Sequence, residues 1–273
     1  MPIAFCLLPT ITDKSCSLPG FGVISKAFIK ERGGGKLGYE EKLVVKELQQ
    51  RGIPFTLYTE KRIHRRQLPL DDESLVVGDM PCIYGALKQL SIPLPEPNDY
   101  PASLQVFLHR PIWKSTLQNL ESRLRKGYSL GTFAKPASRH KRFTGCVFES
   151  EYDLSQVYGV SRQEQLLCSE IVTWVSEYRI YVVHSEIRSI DHYAGDSGVM
   201  VDMEKIRHAI QALDHAGESY AGYALDFGVL ASGQTALVEM NDGFAIGAYK
   251  IDSKNYTDMI LARWEELLSK IKS

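Results

Sequence analysis

Asp226, Glu239 and Asn241 carry the first chemical signal in the sequence. They lie within 223–241, where two strand-like runs flank Ser232-Gly233, a pair suited to a tight turn. If Ala231 pairs with Gln234, the ladder sets Asp226 opposite Glu239. Side chains alternate along a strand, so Asn241 joins Glu239 on one face. Opposed acids cost roughly 0.2–1 kcal/mol in exposed sheets, and burial adds to this unless a proton or cation intervenes. Two carboxylates and a carboxamide oxygen suit Mg²⁺, a hard ion that shares its shell with waters and phosphates. The competing reading is an exposed hairpin with incidental acids. A one-residue slip in register separates the set.

Basic residues upstream supply the complement. Phe133-Ala134-Lys135-Pro136 ends a strand with a lysine, and a loop follows with Arg139, His140, Lys141, Arg142 and Gly145. Lysines placed there could meet a polyphosphate as point charges, or the loop could be a solvated basic surface. Glu177 and Arg179 share one face of a strand, with Arg188 on the next. The arginines could bind phosphate or stabilise charge growing on an acyl oxygen. They could equally form cross-strand pairs with Asp191 or Glu186. No Ser–His–Asp, Cys–His, HExxH or zinc-type spacing offers a competing chemistry.

These groups need a scaffold of mixed α/β type. The N-terminal part alternates strand and helix: strands at 3–8, 55–58 and 75–77, helices at 39–51 and 81–90. Gly33-Gly34-Gly35-Lys36 lacks the GxxxxGK[ST] spacing and reads as a mobile loop or lid. Pro93, Pro95, Pro97 and Pro101 mark a linker or a long surface loop. The C-terminal part is richer in strands, at 131–134, 178–183, 187–190, 223–230 and 235–240, with helices at 203–213 and 255–272. In the last helix Ile260, Trp264, Leu267, Leu268 and Ile271 make one apolar stripe, read as core packing. The expected division is a small α/β unit at 1–95 and a larger body at 96–273.

Composition bounds the partners. The 273 residues carry 32 Lys plus Arg against 33 Asp plus Glu, a net charge of −1, with 44% hydrophobic residues. This is globular composition, and it argues against a bulk nucleic-acid or membrane binder. The basic cluster Lys61, Arg62, His64, Arg65, Arg66 reads as a solvated face, or as a surface recruiting an acidic substrate or an RNA carrier. The apolar run at 3–8 is too short to span a bilayer and has no basic flank. Five scattered cysteines without a CxxC pair fit reduced, mostly buried thiols and a cytoplasmic location. Oligomeric state is not readable from the sequence.

The order of parts resembles an ATP-grasp enzyme, and more closely the clade of that superfamily named for two arginines and a lysine. The resemblance covers residues 75–250. It rests on Asp99-Tyr100-Pro101, Arg110-Pro-Ile-Trp113, Phe133-Ala-Lys-Pro136, Lys141-Arg-Phe-Thr-Gly145, Ser169-Glu-Ile-Val172, Ser176-Glu-Tyr-Arg179, Asp226 and Val238-Glu-Met-Asn241 running on to Gly247. It implies an α+β ATP-grasp body whose two subdomains clamp ATP. Lys135 and Lys141 would then hold the phosphates. Glu170, Ile171 and Val172 would meet adenine through backbone groups, with Glu177 in the nucleotide-contacting set. Arg179, and less strongly Arg188, would face the acyl-phosphate charge. Asp226, Glu239 and Asn241 would hold Mg²⁺. The implied activity is an ADP-forming carboxylate–amine ligase acting on small-molecule or peptide substrates. A nucleotide-binding module without turnover, or a small-molecule kinase, would be the alternative. The loop at 137–145 departs from the glycine-rich pattern of many ATP-grasp ligases, carrying Gly145 alone.

Overall fold

The computed structural model describes residues 24–127, 131–137 and 143–270. The strand expected at 3–8, Cys6, Cys16, and the loop residues Arg139, His140, Lys141 and Arg142 lie outside the described residues. The described residues begin with a small parallel sheet. Strands β1 (Lys26–Lys30), β2 (Phe55–Tyr58) and β3 (Ser74–Val77) alternate with helices α1 (Tyr39–Arg51), α2 (Glu60–His64) and α3 (Met80–Gln89). The strand order is β2-β1-β3, all parallel. The order in which strands are added therefore reverses beside β1, and a crevice opens at the carboxyl ends of β1 and β3. The central strand β1 escapes the sequence reading because only Ala27, Phe28 and Ile29 are buried, between two lysines. Lys30 is tied there by Asp79, at the start of α3.

Two antiparallel four-stranded sheets follow. The first joins β4 (Ile112–Thr116), β5 (Thr132–Pro136), β6 (Cys146–Phe148) and β7 (Gln165–Glu170) in the order β4-β7-β5-β6. Helix α4 (Leu117–Arg125) lays Leu117, Leu120 and Leu124 on it, over a small core with Ala134, Phe148, Leu166 and Cys168. The second joins β8 (Trp174–Val183), β9 (Glu186–Gly195), β10 (Gly222–Leu230) and β11 (Thr235–Asp242) in the order β11-β10-β8-β9. Strand β10 is buried along its whole length, because both faces of its sheet are covered. Helix α5 (Met203–Ala216) covers one face through Ile206, Ala209, Ile210 and Leu213. Helix α6 (Ser253–Ser269) covers the other.

The stripe on α6 is core, as its spacing predicts. Ile260, Trp264, Leu267 and Leu268 are buried, and Ile271 lies outside the described residues. The core they join is that of the N-terminal sheet, shared with Tyr181, Val183 and Ala224 of the second antiparallel sheet. Trp264 Nε1 donates to the carbonyl of Ser74 at 2.7 Å. A boundary near residue 95 thus separates sheets in sequence, while one hydrophobic core crosses it.

Candidate active site between the two antiparallel sheets

The hairpin β10–β11 pairs Asp226 with Glu239, but not by a uniform ladder. The turn is one residue longer than the sequence suggests. Leu230 N donates to Gln234 O at 2.9 Å, with Ala231, Ser232 and Gly233 as the loop. Gly233 takes φ 83°, a left-handed value that favours glycine. From that turn Phe227 pairs with Leu237, and Asp226 would meet Val238. A bulge at Val238 restores the pairing of Asp226 with Glu239. Two one-residue differences cancel, and the acids still face each other.

Asp226 is paired with an arginine. Arg179 stands beside it in register on β8. The guanidinium donates from Nε to Oδ1 at 2.8 Å and from Nη2 to Oδ2 at 2.7 Å, a two-pronged ion pair. Asn241 Nδ2 also donates to Oδ2, at 3.2 Å. Burial pushes the Asp226 carboxyl up, and Arg179 opposes that push. The third guanidinium nitrogen donates to Gly247 O at 3.1 Å. The rings of Tyr249 and Tyr193 lie 5.0 and 6.0 Å from the guanidinium carbon.

Glu239 has a different partner. Lys135, at the end of β5, reaches across from the other antiparallel sheet and bridges Glu239 and Asp99, at 2.6 Å each. Its ammonium lies 4.6 Å from the Tyr100 ring centre. Burial works against this charge, yet Glu239 and Asp99 hold the lysine above its ordinary value. Asp99 is itself placed by Met240 N, which donates to its carbonyl at 2.8 Å. Arg110 reads the bulge: Nη1 and Nη2 donate to the carbonyls of Leu237 and Val238 at 2.6 and 2.9 Å. Its guanidinium lies 5.3 Å from the Trp174 ring centre.

These groups line a cavity of about 670 Å³, within the size range of small-molecule sites. Of the expected site residues, Lys135, Glu170, Ile171, Val172, Glu177, Arg179, Asp226, Glu239 and Asn241 all line it. Glu170 ends β7 and Trp174 begins β8, so 171–173 is the link between the two antiparallel sheets. Glu177 accepts from Tyr193 Oη at 3.0 Å. Arg188 is not brought in: it pairs with Glu186 at 3.0 Å, beside an irregularity in the β8–β9 ladder. Lys141 lies outside the described residues. Asp99, Arg110, Trp174 and Tyr193 line the cavity without having been singled out as site residues. Asp99 and Arg110 stand inside motifs quoted for the resemblance, so a signal was present. Tyr193 gave none.

A second, smaller cavity of about 180 Å³ sits in the crevice at the carboxyl ends of β1 and β3. Lys30, Arg32, Glu40, Glu41 and Asp79 surround it, and it shares 244–247 with the large cavity. The 33–36 stretch is the turn from β1 toward α1, with positive φ at all three glycines. Arg32 N donates to Lys36 O at 2.8 Å across it. The basic cluster forms α2 and its exit, with Lys61, His64, Arg65 and Arg66 exposed. Cys82 and Cys168 are buried free thiols, pushed up to about 12 and about 11 by burial. Among the described residues no helix is long and apolar enough to cross a membrane.

Comparison with known proteins agrees with this architecture. No curated protein matches the chain. Among solved structures, D-alanine–D-alanine ligase from Bacillus anthracis complexed with ATP superposes with a TM-score of 0.52 at 12% identity, over 90% of this chain and 95% of that one. The ATP-grasp ligase PsnB complexed with a phosphomimetic variant of its minimal precursor, Mg and ADP gives 0.51 at 12% identity, over 91% and 99%. The macrocyclase MdnC from Microcystis aeruginosa MRC, bound with precursor peptide MdnA, gives 0.50 at 11%, over 87% and 99%. At such identities the likeness is one of fold. The sequence itself matches the ATP-grasp domain of family 2 in the clade named for two arginines and a lysine, over residues 107–259, more than half of the chain. The expected α/β ATP-grasp fold is therefore the observed one, and the chain belongs to that ATP-grasp family.

Proposed function

We propose that the protein is an ATP-dependent, ADP-forming ligase that joins a carboxylate to an amine, with an amino acid or peptide as substrate. The observation that carries this reading is Lys135. One ammonium spans Asp99 and Glu239 across the gap between two sheets, inside a cavity that also holds Arg110 and Arg179. Cations are thus gathered where a polyphosphate would lie, and acids sit beside them where a divalent ion would.

The reaction asks for little covalent help from the protein. A carboxylate oxygen attacks the γ-phosphorus, and the bond from that phosphorus to the β-bridging oxygen breaks, giving an acylphosphate and ADP. The amine nitrogen then attacks the acyl carbon, phosphate leaves, and the nitrogen loses a proton. Positioning and charge stabilisation supply the acceleration. Lys135 can turn from Glu239 to the phosphates. Arg179 spends three donors on Asp226 and Gly247 and retains two of its five for oxygens in the cavity. Mg²⁺ fits the hard-oxygen chemistry of Glu239 and Asn241, two positions apart on β11. It would neutralise phosphate charge when bound. The segment 170–172, linking the sheets, is the proposed adenine contact.

The small cavity is the proposed seat of the amine substrate. Its volume lies below the ~300 Å³ where drug-sized ligands begin, so it suits one residue rather than a nucleotide. Glu40 and Glu41 offer acceptors to an ammonium, and Arg32 and Lys30 offer charge to a carboxylate. The compared proteins support this substrate class: one is a ligase of D-alanine to D-alanine, one is bound with a precursor peptide, and one is complexed with a variant of its minimal precursor.

The test is Mg²⁺-dependent ADP release with pooled amino acids and short peptides, followed by mass spectrometry. ADP tied to a condensed mass, lost in Glu239→Gln, is expected. ADP with a stable phosphorylated product would identify a kinase instead. ATP binding without ADP under any pool would count against turnover on this class.

A further inference from the structure

We infer that Asp226 is a positioning residue for Arg179 and not a metal ligand, so that the site takes one divalent cation with its nucleotide, on Glu239 and Asn241. This rests on the ATP-dependent reading given above.

The two carboxylates on the hairpin face each other but have unlike partners. Both oxygens of Asp226 accept from Arg179, and Oδ2 accepts from Asn241 as well. Asp226 is 2% exposed, on a strand flanked by β8 and β11. It pairs with Arg179 on one side and with Glu239 on the other. A cation shared by Asp226 and Glu239 would lie against a guanidinium.

The guanidinium cannot easily withdraw. Gly247 O takes its third nitrogen, and the rings of Tyr249 and Tyr193 face it. Those rings stack on each other with centroids 4.9 Å apart and planes 13° from parallel. Tyr193 is anchored in turn by its hydroxyl on Glu177. Strand register, a backbone carbonyl and a stacked aromatic pair all fix the same group.

Glu239 differs in its exposure and in the kind of cation it meets. Its side chain is 29% exposed, and its partner is a lysine on the opposite sheet. A lysine is a flexible point charge that can exchange one anion for another, whereas the bidentate arginine fork is tied to one geometry. Lys135 would exchange Glu239 for a phosphate oxygen when nucleotide is bound, leaving Glu239 for a cation. No equivalent exchange is available at Asp226. The fixed guanidinium then supplies, permanently, positive charge beside the paired carboxylates.

The experiment counts ions with Mn²⁺ as the probe and a non-hydrolysable ATP analogue as the nucleotide, by electron paramagnetic resonance. One Mn²⁺ per bound nucleotide on the unaltered protein is expected, and two would overturn the inference. Asp226→Asn keeps one side-chain oxygen to accept from Asn241 and should hold Mn²⁺ affinity within about threefold, where loss of the contacts that orient a ligand costs about 10–100-fold. It should also lower kcat at least about tenfold with little change in KM for ATP, the mark of a lost transition-state contact. Asp226→Glu should recover part of that loss. Mn²⁺ binding weakened in Asp226→Asn as strongly as in Glu239→Gln would overturn the inference too. Should Asp226→Asn not fold, the count on the unaltered protein decides alone. Absence of any nucleotide binding there would instead bring down the reading on which the inference rests.

Discussion

Glu239 and Glu41 are both acids beside cations, yet their substitution should read out differently. Glu239→Gln removes the charge that Lys135 bridges to, while Asp99 still holds the lysine at 2.6 Å. The fold should therefore survive, with turnover lowered at least about 100-fold, as when a positioned charge is lost from a transition state. ADP release and a thermal melt on the same sample would check both halves, and full activity would sink the assignment of Glu239. Glu41 sits half-buried at the small cavity, and burial, with Glu40 nearby, holds its carboxyl above the ordinary range against Arg32 and Lys30. A raised folded value means that its contribution is fully present below the unfolded value and is lost as pH rises through the folded one. Glu41→Gln should accordingly raise Tm at neutral pH and leave it unchanged near about pH 4. The same change should raise KM for the amine substrate about tenfold or more, the scale of a hydrogen bond to a charged group. Gain of stability with loss of affinity would mark an acid kept for binding. A lower Tm at neutral pH, or an unaltered KM, would argue against it.

Strands were more legible than the irregularities that aim them. Helix α1 and strand β2 fall at 39–51 and 55–58, where the sequence pattern places them. The pairing of Asp226 with Glu239 was also legible, though through a two-residue turn the protein does not use. The clue to the real path lies in the apolar pattern. Leu237 and Met240 both enter the core under α5, and a spacing of three cannot put two residues on one face of a regular strand. An extra residue must intervene, and Val238 is that residue. Arg110 was legible as a motif but not as a site residue, because its partners are backbone carbonyls that no side-chain pattern announces. The bulge exposes those carbonyls and the arginine holds them, so each fixes the other. Arg110→Lys keeps the charge but cannot span both oxygens. It should destabilise the protein by about 1–3 kcal/mol and speed hydrogen exchange of the amides in 236–241 of β11 ahead of those of β10. Urea unfolding and residue-resolved exchange would check this, and unchanged protection of that stretch would show that the bulge stands without the arginine.

At the scale of the whole molecule, the sequence suggested a unit ending near residue 95 and a body after it, and the prolines at 93–101 invited that cut. A single sequence shows which face of α6 is apolar but not what that face meets. The structure puts it against Val44, Leu48 and Leu75 of the N-terminal part as well as Tyr181 and Ala224 of the second antiparallel sheet. Arg51 on α1 also reaches Asp258 on α6 at 2.5 Å. The arrangement has a functional logic, since the small cavity is built from β1, α1, the start of α3 and 244–247 together. A cavity shared across that cut, as the proposed amine seat would be, needs its two sides held rigidly, and a common core does this better than a linker. Trp264 is the centre of the joint, fully buried and bonded to Ser74 O. Trp264→Ala should cost about 3–5 kcal/mol. It should do so in one cooperative transition, with near-ultraviolet signals from both parts lost together. A chain begun at residue 96 should not fold alone, because Tyr256, Met259, Ile260, Trp264, Leu267 and Leu268 would stand exposed as one large apolar face. Dye binding and circular dichroism on that fragment, beside calorimetry of Trp264→Ala, would test the shared core. Two separate transitions, or a well-folded fragment, would mean that the small cavity is assembled from independent bodies and that its geometry is set by their docking rather than by the fold.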